Sequence, residues 1–491
     1  MSAESMELAR RLGDTMVNAD PTLVPDTPPP AAAGTSVRYE RGPAFRRYRL
    51  SYVLAGLSIA AIWGAVGGIL LPLHVQQIEF GQFFTGADAG IDLQALTELK
   101  YAVDAGSTAP TEEQSRQLSL LADFEAARAL SLSAIAVVSS ILTMLIQPIA
   151  GILSDRTRSR WGRRAPWIVA GAVIGAALLV AMRFSPSIGI LLITYSLAQL
   201  GLNLASGPLN ATVADRVPAE RLGTMSALSG FATLIGGAIG SIVAGALFAV
   251  MGLDVYFPFA LAVIVFTVLF ALMARDRSSR DLERAPMSVR AFLASFTVAL
   301  RDRDFRWLWI AKVALLFGGG VSGAFGVYML QSYIRPGLSA EEAAQIAPVL
   351  ALVGIPGTVV ALLVAGWWSD KVGRRKPFVI GSTFLIAGSM FIPLLSPTLP
   401  ALIIQGVVAG LGVGTFLTVD QAMFIDLLPE KDAAARDLGV STLGGNLGQA
   451  LGPLLAGVVV AVTGGYTALW IVAIVIVVIA ALLVFPIRRV R

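Results

Sequence analysis

The chain has 491 residues, of which 56% are hydrophobic and only 14% charged, and its mean hydropathy is +0.74. Soluble domains carry about 25% charged residues, so this composition excludes an ordinary soluble protein and places the chain in a bilayer. A net charge of +5 and a pI near 9.6 would suggest nucleic-acid binding in a soluble protein, but here the basic residues fall between apolar segments of spanning length and read as orientation charges. With no cysteine and a single histidine, His74, the chain lacks the material for a disulfide framework, a thiol nucleophile or a zinc site of the usual kind.

In chain order, residues 1–47 are rich in proline and alanine, lack the apolar core of a cleavable signal peptide, and are expected to form a disordered cytosolic tail. A spanning helix needs about 20 apolar residues, which gives twelve expected segments. The first six are 48–75, 129–152, 165–183, 187–213, 224–251 and 256–274; the second six are 305–333, 343–368, 378–395, 399–425, 439–463 and 466–486. An N-terminal six-helix bundle thus covers 48–274 and a C-terminal one 305–486, joined by a cytosolic linker, 275–304, and followed by a short cytosolic tail, 487–491. The 76–128 stretch holds nine acidic residues against three basic ones and is too polar to span. Its Leu93–Leu99 and Glu112–Arg128 runs look helical, so a small external cap is expected there. Placing the N-terminus inside puts 31 of the 37 Lys and Arg on the cytosolic side, the asymmetry of an inside assignment. Glycine runs such as Gly318-Gly-Gly-Val-Ser-Gly323 lie within apolar segments and no Gly-Lys-Ser/Thr loop is present, so phosphate-binding enzymes and ATP-driven transport are not supported. No catalytic residue, metal or cofactor is expected.

Two basic, glycine-punctuated loops stand at matching places in the two halves: Gly151-Ile-Leu-Ser-Asp155-Arg156 running on to Trp161-Gly162-Arg163-Arg164, and Gly366-Trp-Trp-Ser-Asp370-Lys371-Val-Gly373-Arg374-Arg375. A second pair repeats after the fourth helix of each half, Asp215-Arg-Val-Pro and Asp426-Leu-Leu-Pro. Internal repeats of this kind mark transporters built from two similar six-helix halves. The loops resemble the cytosolic motif of the major facilitator superfamily between its second and third, and eighth and ninth, helices. The longer first copy, with Val419-Asp420 and Asp426-Leu-Leu-Pro, is similar to the sucrose-transporter and glycoside–pentoside–hexuronide branch, particularly its bacterial relatives. The resemblance covers about residues 48–486 and implies an all-α membrane protein of major facilitator fold, with twelve transmembrane helices in two six-helix bundles. One departure stands out: proton–sucrose transporters carry an acid in the fourth helix before their Gly-Pro, whereas the position matching it before Gly207-Pro208 is Gln199, and no acid lies within 187–213.

An aspartate at the end of a helix accepts hydrogen bonds from free N–H groups at a neighbouring helix start and pairs with arginines. The resemblance implies that Asp155 faces the start of the eleventh helix near Gly439–Ser441, and Asp370 the start of the fifth near Gly223–Met225. Together with Gly151, Arg156, Gly162, Arg163 and Arg164, and with Gly366, Lys371, Gly373, Arg374 and Arg375, they would latch the inner gate when the site opens outward.

Polar side chains inside spanning segments are costly and face a cavity or a partner helix. In the fourth helix Gln199, Asn203, Ser206 and Asn210 fall at spacings of four, three and four, one stripe that either lines the solute path or bonds neighbouring helices. Thr442, Asn446 and Gln449 repeat the pattern in the eleventh. Tyr328, Gln331 and Ser332 lie near the outer end of the seventh and belong either to the path or to an interfacial belt. His74 is expected either at the interface or at the solute. Lys312 and Asp420 lie eight and six residues from the polar ends of their helices, so both sit about 9–12 Å deep at 1.5 Å per residue. A lone charge there costs about 2.5–3.5 kcal/mol, and a Lys312–Asp420 pair between the seventh and tenth helices relieves it. Such a pair either carries a coupling proton on Asp420 or is structural, and Lys312 alone could instead snorkel to the interface.

The sequence therefore points to a monomeric, gradient-driven carrier of a small organic solute in the cytoplasmic membrane, both termini cytosolic, with protons as the candidate coupling ion and no nucleic-acid partner. A sugar or glycoside is favoured by the branch resemblance. A drug or metabolite efflux carrier, and a transporter-like sensor or scaffold that binds solute without moving it, stay open.

Overall fold

A computed structural model describes Tyr39 and residues 42–279, 300–427 and 434–490. Most of the expected tail and linker lie outside the described residues. The first span runs unbroken through Pro43–Ile62, a π-helical stretch Trp63–Leu70, and Leu71–Phe83. The next five are Glu112–Arg156, Ala165–Arg183, Ile188–Arg216, Leu222–Met251 and Tyr256–Met273. The seventh is a broken pair, Arg303–Gly323 and Gly326–Ser332, bent by 43°. Ala340–Val372, Lys376–Leu395, Leu399–Asp426, Ala434–Thr463 and Thr467–Leu482 complete the set.

Residues 222–273 are continuously helical and apolar for 52 residues, yet they are two spans. Gly236 and Gly240 of the fifth pack on Leu57 and Ala61 of the first in ascending order, a parallel pair. Phe270 of the sixth lies by Tyr48 and Tyr52, and Tyr256 by His74, an antiparallel pair. The chain therefore reverses in the 3-10 turn Gly252–Val255.

Helix starts follow local chemistry. Thr111 and Ser339 form capping boxes with Gln114 and Glu342, and Ser187, Thr398 and Asp302 cap their helices, satisfying N–H groups that have no partner inside the helix. The second helix is 45 residues long, about 67 Å at 1.5 Å per residue, against a hydrocarbon core of about 30 Å. Its N-terminal turns stand outside the bilayer and pack with the helix Leu93–Asp104 around Phe84, Leu96, Leu121 and Phe124, forming a cap with its own small core.

The two halves repeat each other's packing. First packs on fifth as seventh on eleventh, second on fourth as eighth on tenth, and third on sixth as ninth on twelfth. Small residues make these approaches close, as expected where lipid supplies no hydrophobic drive between helices. A Cβ on Gly240 would lie 2.0 Å from the Ala61 carbonyl, and one on Gly410 would lie 2.1 Å from that of Gly354. Between the halves, second meets eleventh and fifth meets eighth.

A candidate solute cavity between the halves

The side-chain hydrogen bonds that join the halves gather on the cap side. Gln76 Nε2 donates to Gln331 Oε1 at 2.9 Å, the Tyr328 hydroxyl to the Pro72 carbonyl at 2.7 Å, Gln94 Nε2 to the Gly337 carbonyl at 2.8 Å, and Lys100 Nζ to the Gly464 carbonyl at 3.2 Å. At the centre is Arg128, 1% exposed. It donates to Ser332 Oγ at 2.7 Å, lies 3.7 Å from Glu125, and has the Tyr328 and Tyr466 rings 4.4 and 5.9 Å from its guanidinium carbon. Glu125 also takes Lys100 from the cap helix at 2.8 Å.

At the opposite end Gly151, Gly223 and Gly439 have open space where a Cβ would be. Asp155 is held within its own half by Arg164 at 2.6 Å and Arg163 at 3.8 Å. The described contacts thus leave Asp155 apart from Gly439–Ser441, where Ser441 accepts from Lys312 instead. The side chain of Asp370 is outside the described residues. Gly162 and Gly373, at matching points of the two loops, both have positive φ, 84° and 65°, conformations that favour glycine. Arg163 and Arg164 reach Asp215 at 2.6 and 3.0 Å, and Arg375 reaches Asp426 at 2.9 Å. The two repeated motifs are therefore partners: in each half the loop arginine closes onto the aspartate after the fourth helix. Arg156, Lys371 and Arg374 are exposed, with Lys371 over the Trp367 ring, and a Cβ on Gly366 would lie 3.1 Å from the Thr418 methyl.

Between these ends lies a cavity of about 410 Å³ walled by the first, second, fourth and eleventh spans. Gln199, Asn203, Asn446 and Gln449 all line it, so the stripes of the fourth and eleventh helices face one space. They also hydrogen-bond: Gln199 Nε2 donates to the Tyr195 hydroxyl one turn earlier in the same helix at 2.8 Å, and Gln147 Nε2 of the second span donates to Asn203 Oδ1 at 3.1 Å. Cavity lining and interhelical bonding, posed as alternatives, coexist. Ser206 and Asn210 lie farther along the helix, Asn210 exposed and accepting from the Tyr52 hydroxyl at 3.0 Å. Thr442, a turn before Asn446, is exposed but is not part of the cavity wall.

Tyr328 and Gln331 are corrections. The break after Gly323 carries Gly326–Ser332 into the cap-side closure, away from the cavity, and Gln331 lines a different space of about 460 Å³ beneath the cap. His74 is corrected too: it is 3% exposed and packs inside the N-terminal half, its Nδ1 3.4 Å from the Tyr256 hydroxyl.

Lys312 and Asp420 meet. Nζ donates to Asp420 Oδ2 at 2.9 Å and to Ser441 Oγ at 3.1 Å, and it lies 5.0 Å from the Phe424 ring centre. Asp420 is 2% exposed and its Oδ1 has no partner among the described residues. The seventh, tenth and eleventh spans are tied at one point.

Trp63, Ser139, Ser140, Thr143, Gln147 and Tyr195 also line the cavity; none was singled out from sequence. Gln147 carried a signal, an amide in an apolar helix. Trp63 carried none, because tryptophan in a spanning segment equally suits lipid or interface.

The family model described as Major Facilitator Superfamily matches residues 50–361 and 349–491. The chain belongs to that superfamily. It is a multi-pass membrane protein of major facilitator fold. Among solved structures it superposes on the nucleoside transporter NupG with a TM-score of 0.64 at 15% identity, over 90% of this chain and 98% of that one. A bacterial homologue of the human lysosomal transporter Spinster, inward-facing and occupied, gives 0.61 at 16% identity over 92% and 98%. Curated relatives match locally. The sucrose transport protein SUT1 of Oryza sativa subsp. japonica is 46% identical over 46 residues, 9% of each chain. The general alpha-glucoside permease of Schizosaccharomyces pombe is 36% identical over 81 residues, 15% of each. The putative multidrug resistance protein MdtD of Salmonella paratyphi B is 36% identical over 104 residues, 21% of this chain and 22% of its own. These alignments span about a tenth to a fifth of the relatives' own length.

Proposed function

We propose that this transporter is a secondary-active carrier of a neutral, hydroxylated organic solute, a sugar or glycoside, working by alternating access as a monomer in the cytoplasmic membrane. The basic loops and both termini are placed on the cytosolic side by the charge asymmetry, so the conformation described has its outer side closed. One observation carries the reading. The central cavity is shared by both halves and lined by amides and hydroxyls, with no charged side chain among its lining residues. Amides and hydroxyls offer both donors and acceptors, which suits a polyhydroxyl ligand; a lipophilic cation would favour an acid in the wall. Local likeness to a sucrose transport protein and an alpha-glucoside permease supports the same class.

A second reading, efflux of drugs or metabolites, has the MdtD match in its favour. Binding separates the two. Purified protein should be thermally stabilised by a sugar or glycoside, since a ligand at 100 times its Kd adds about 2.7 kcal/mol, and Asn203→Ala should abolish the shift. Stabilisation by lipophilic cations alone would favour efflux and sink the sugar reading.

Asp155 and Asp370, with their loop arginines, serve as the inner latch in the opposite, outward-open state. Lys312 and Asp420 either exchange a coupling proton or hold three helices together. Asp420→Asn should abolish concentrative uptake and spare exchange in the first case, and lower stability with both modes in the second.

A further inference from the structure

The first span passes without a break through π-helical geometry over Trp63–Leu70. Such segments are rare and are frequently found at functional sites. On the side facing the fifth span the backbone is closely packed. A Cβ on Gly64 would lie 1.9 Å from the Gly237 carbonyl, and Gly240 sits equally tightly on Ala61. The backbone on both sides of Trp63 is thus pinned to the fifth helix, which fixes where the indole goes.

It goes to the cavity. Trp63 lines the 410 Å³ space with Gln147, Gln199, Asn203, Asn446 and Gln449; its side chain is part-exposed there while its indole nitrogen is buried in the packing. The neighbouring Tyr195 hydroxyl already accepts from Gln199, whereas Asn446 and Gln449 are exposed to the space. The cavity volume falls in the usual range of about 300–1,000 Å³ for small-molecule sites.

We infer that Trp63 is the specificity-determining platform of this site: its ring takes the C–H face of a pyranose. The electron-rich face of an aromatic ring attracts the weakly positive C–H groups that a pyranose presents on one side. A linear polyol offers as many hydroxyls but no flat C–H face. Cyclic glycosides are therefore selected over open-chain polyols. The inference rests on the sugar reading above and adds to it the ring form of the solute and the residue that reads it.

The test is equilibrium binding to the full-length, detergent-purified protein, read by thermal shift, with methyl glucopyranosides, methyl galactopyranosides, sucrose and maltose against sorbitol and mannitol. Wild-type protein should bind at least one pyranoside at least ten-fold more tightly than either polyol. Trp63→Phe keeps an aromatic face and should weaken binding by no more than about five-fold. Trp63→Ala should weaken it a further ten-fold or more. Tight pyranoside binding that both variants retain would overturn the role of Trp63 while leaving the sugar reading intact. Polyols bound as tightly as pyranosides would overturn ring selection. If wild-type protein binds no hydroxylated probe, the sugar reading fails and this inference fails with it.

Discussion

Lys312 and Asp420 meet in an environment where neither charge is tolerable alone, so the pair sets a measurable asymmetry. Removing one partner leaves the other buried and unpaired, a loss of about 3–5 kcal/mol, whereas replacing both with apolar groups of similar size is often near neutral. Lys312→Met and Asp420→Leu should each lower the thermal unfolding temperature, and the double variant should recover most of the loss. A double variant that unfolds as early as the worse single one would contradict the pairing energetics. The loop glycines give a second contrast. Alanine at Gly373 meets open space and bears only the positive-φ cost of about 1–2 kcal/mol. At Gly162 it would also run into Asp276, 2.6 Å from its Cβ. Gly162→Ala should therefore destabilise more than Gly373→Ala in the same unfolding measurement. What could be read at this scale from sequence was polarity out of place: Gln199, Asn203 and Asp420 stand out in apolar helices. Trp63 and Tyr195 do not, since aromatic residues belong equally to cavity, lipid and interface.

At the scale of elements, the cap reaches the opposite half directly, through Gln94 and Lys100, and by a relay that ends on Arg128. The cap helix supplies Lys100, Lys100 holds Glu125, and Glu125 lies beside Arg128, whose guanidinium reaches Ser332 and two aromatic rings of the opposite half. Arg128→Met removes that reach and should bias the protein toward opening on the cap side. The chain contains no cysteine, so Asn446→Cys is a unique label in an otherwise native protein. Membrane-impermeant maleimide applied from the cap side should modify it at least five-fold faster in the Arg128→Met background, and an unchanged rate would show that Arg128 does not hold the gate. Spanning segments were legible because about 20 apolar residues in a row have few other uses. The break at Gly323–Gly326 was not. Nothing in Gly-Ala-Phe-Gly distinguishes a kink from a packing surface, and that bend is what took Tyr328 and Gln331 out of the cavity. The π-helical stretch was hidden for the same reason, since its glycines also serve close packing.

Across the whole molecule, two equivalent bundles are tied together at the cap by side-chain hydrogen bonds, with a cavity lined by uncharged side chains between them. The repeat was visible in sequence as paired motifs. The structure adds their partnership, Arg163 and Arg164 with Asp215, and Arg375 with Asp426. The proposed latch contacts rest on resemblance alone; here Asp155 is held by Arg163 and Arg164 of its own half. Counterflow in proteoliposomes reports solute class by itself, because exchange needs neither the coupling ion nor its direction to be known. Vesicles preloaded with a neutral sugar or glycoside should accumulate the same labelled compound, and Asn203→Ala should abolish the signal. Counterflow of lipophilic cations with none for any sugar or glycoside would contradict the account.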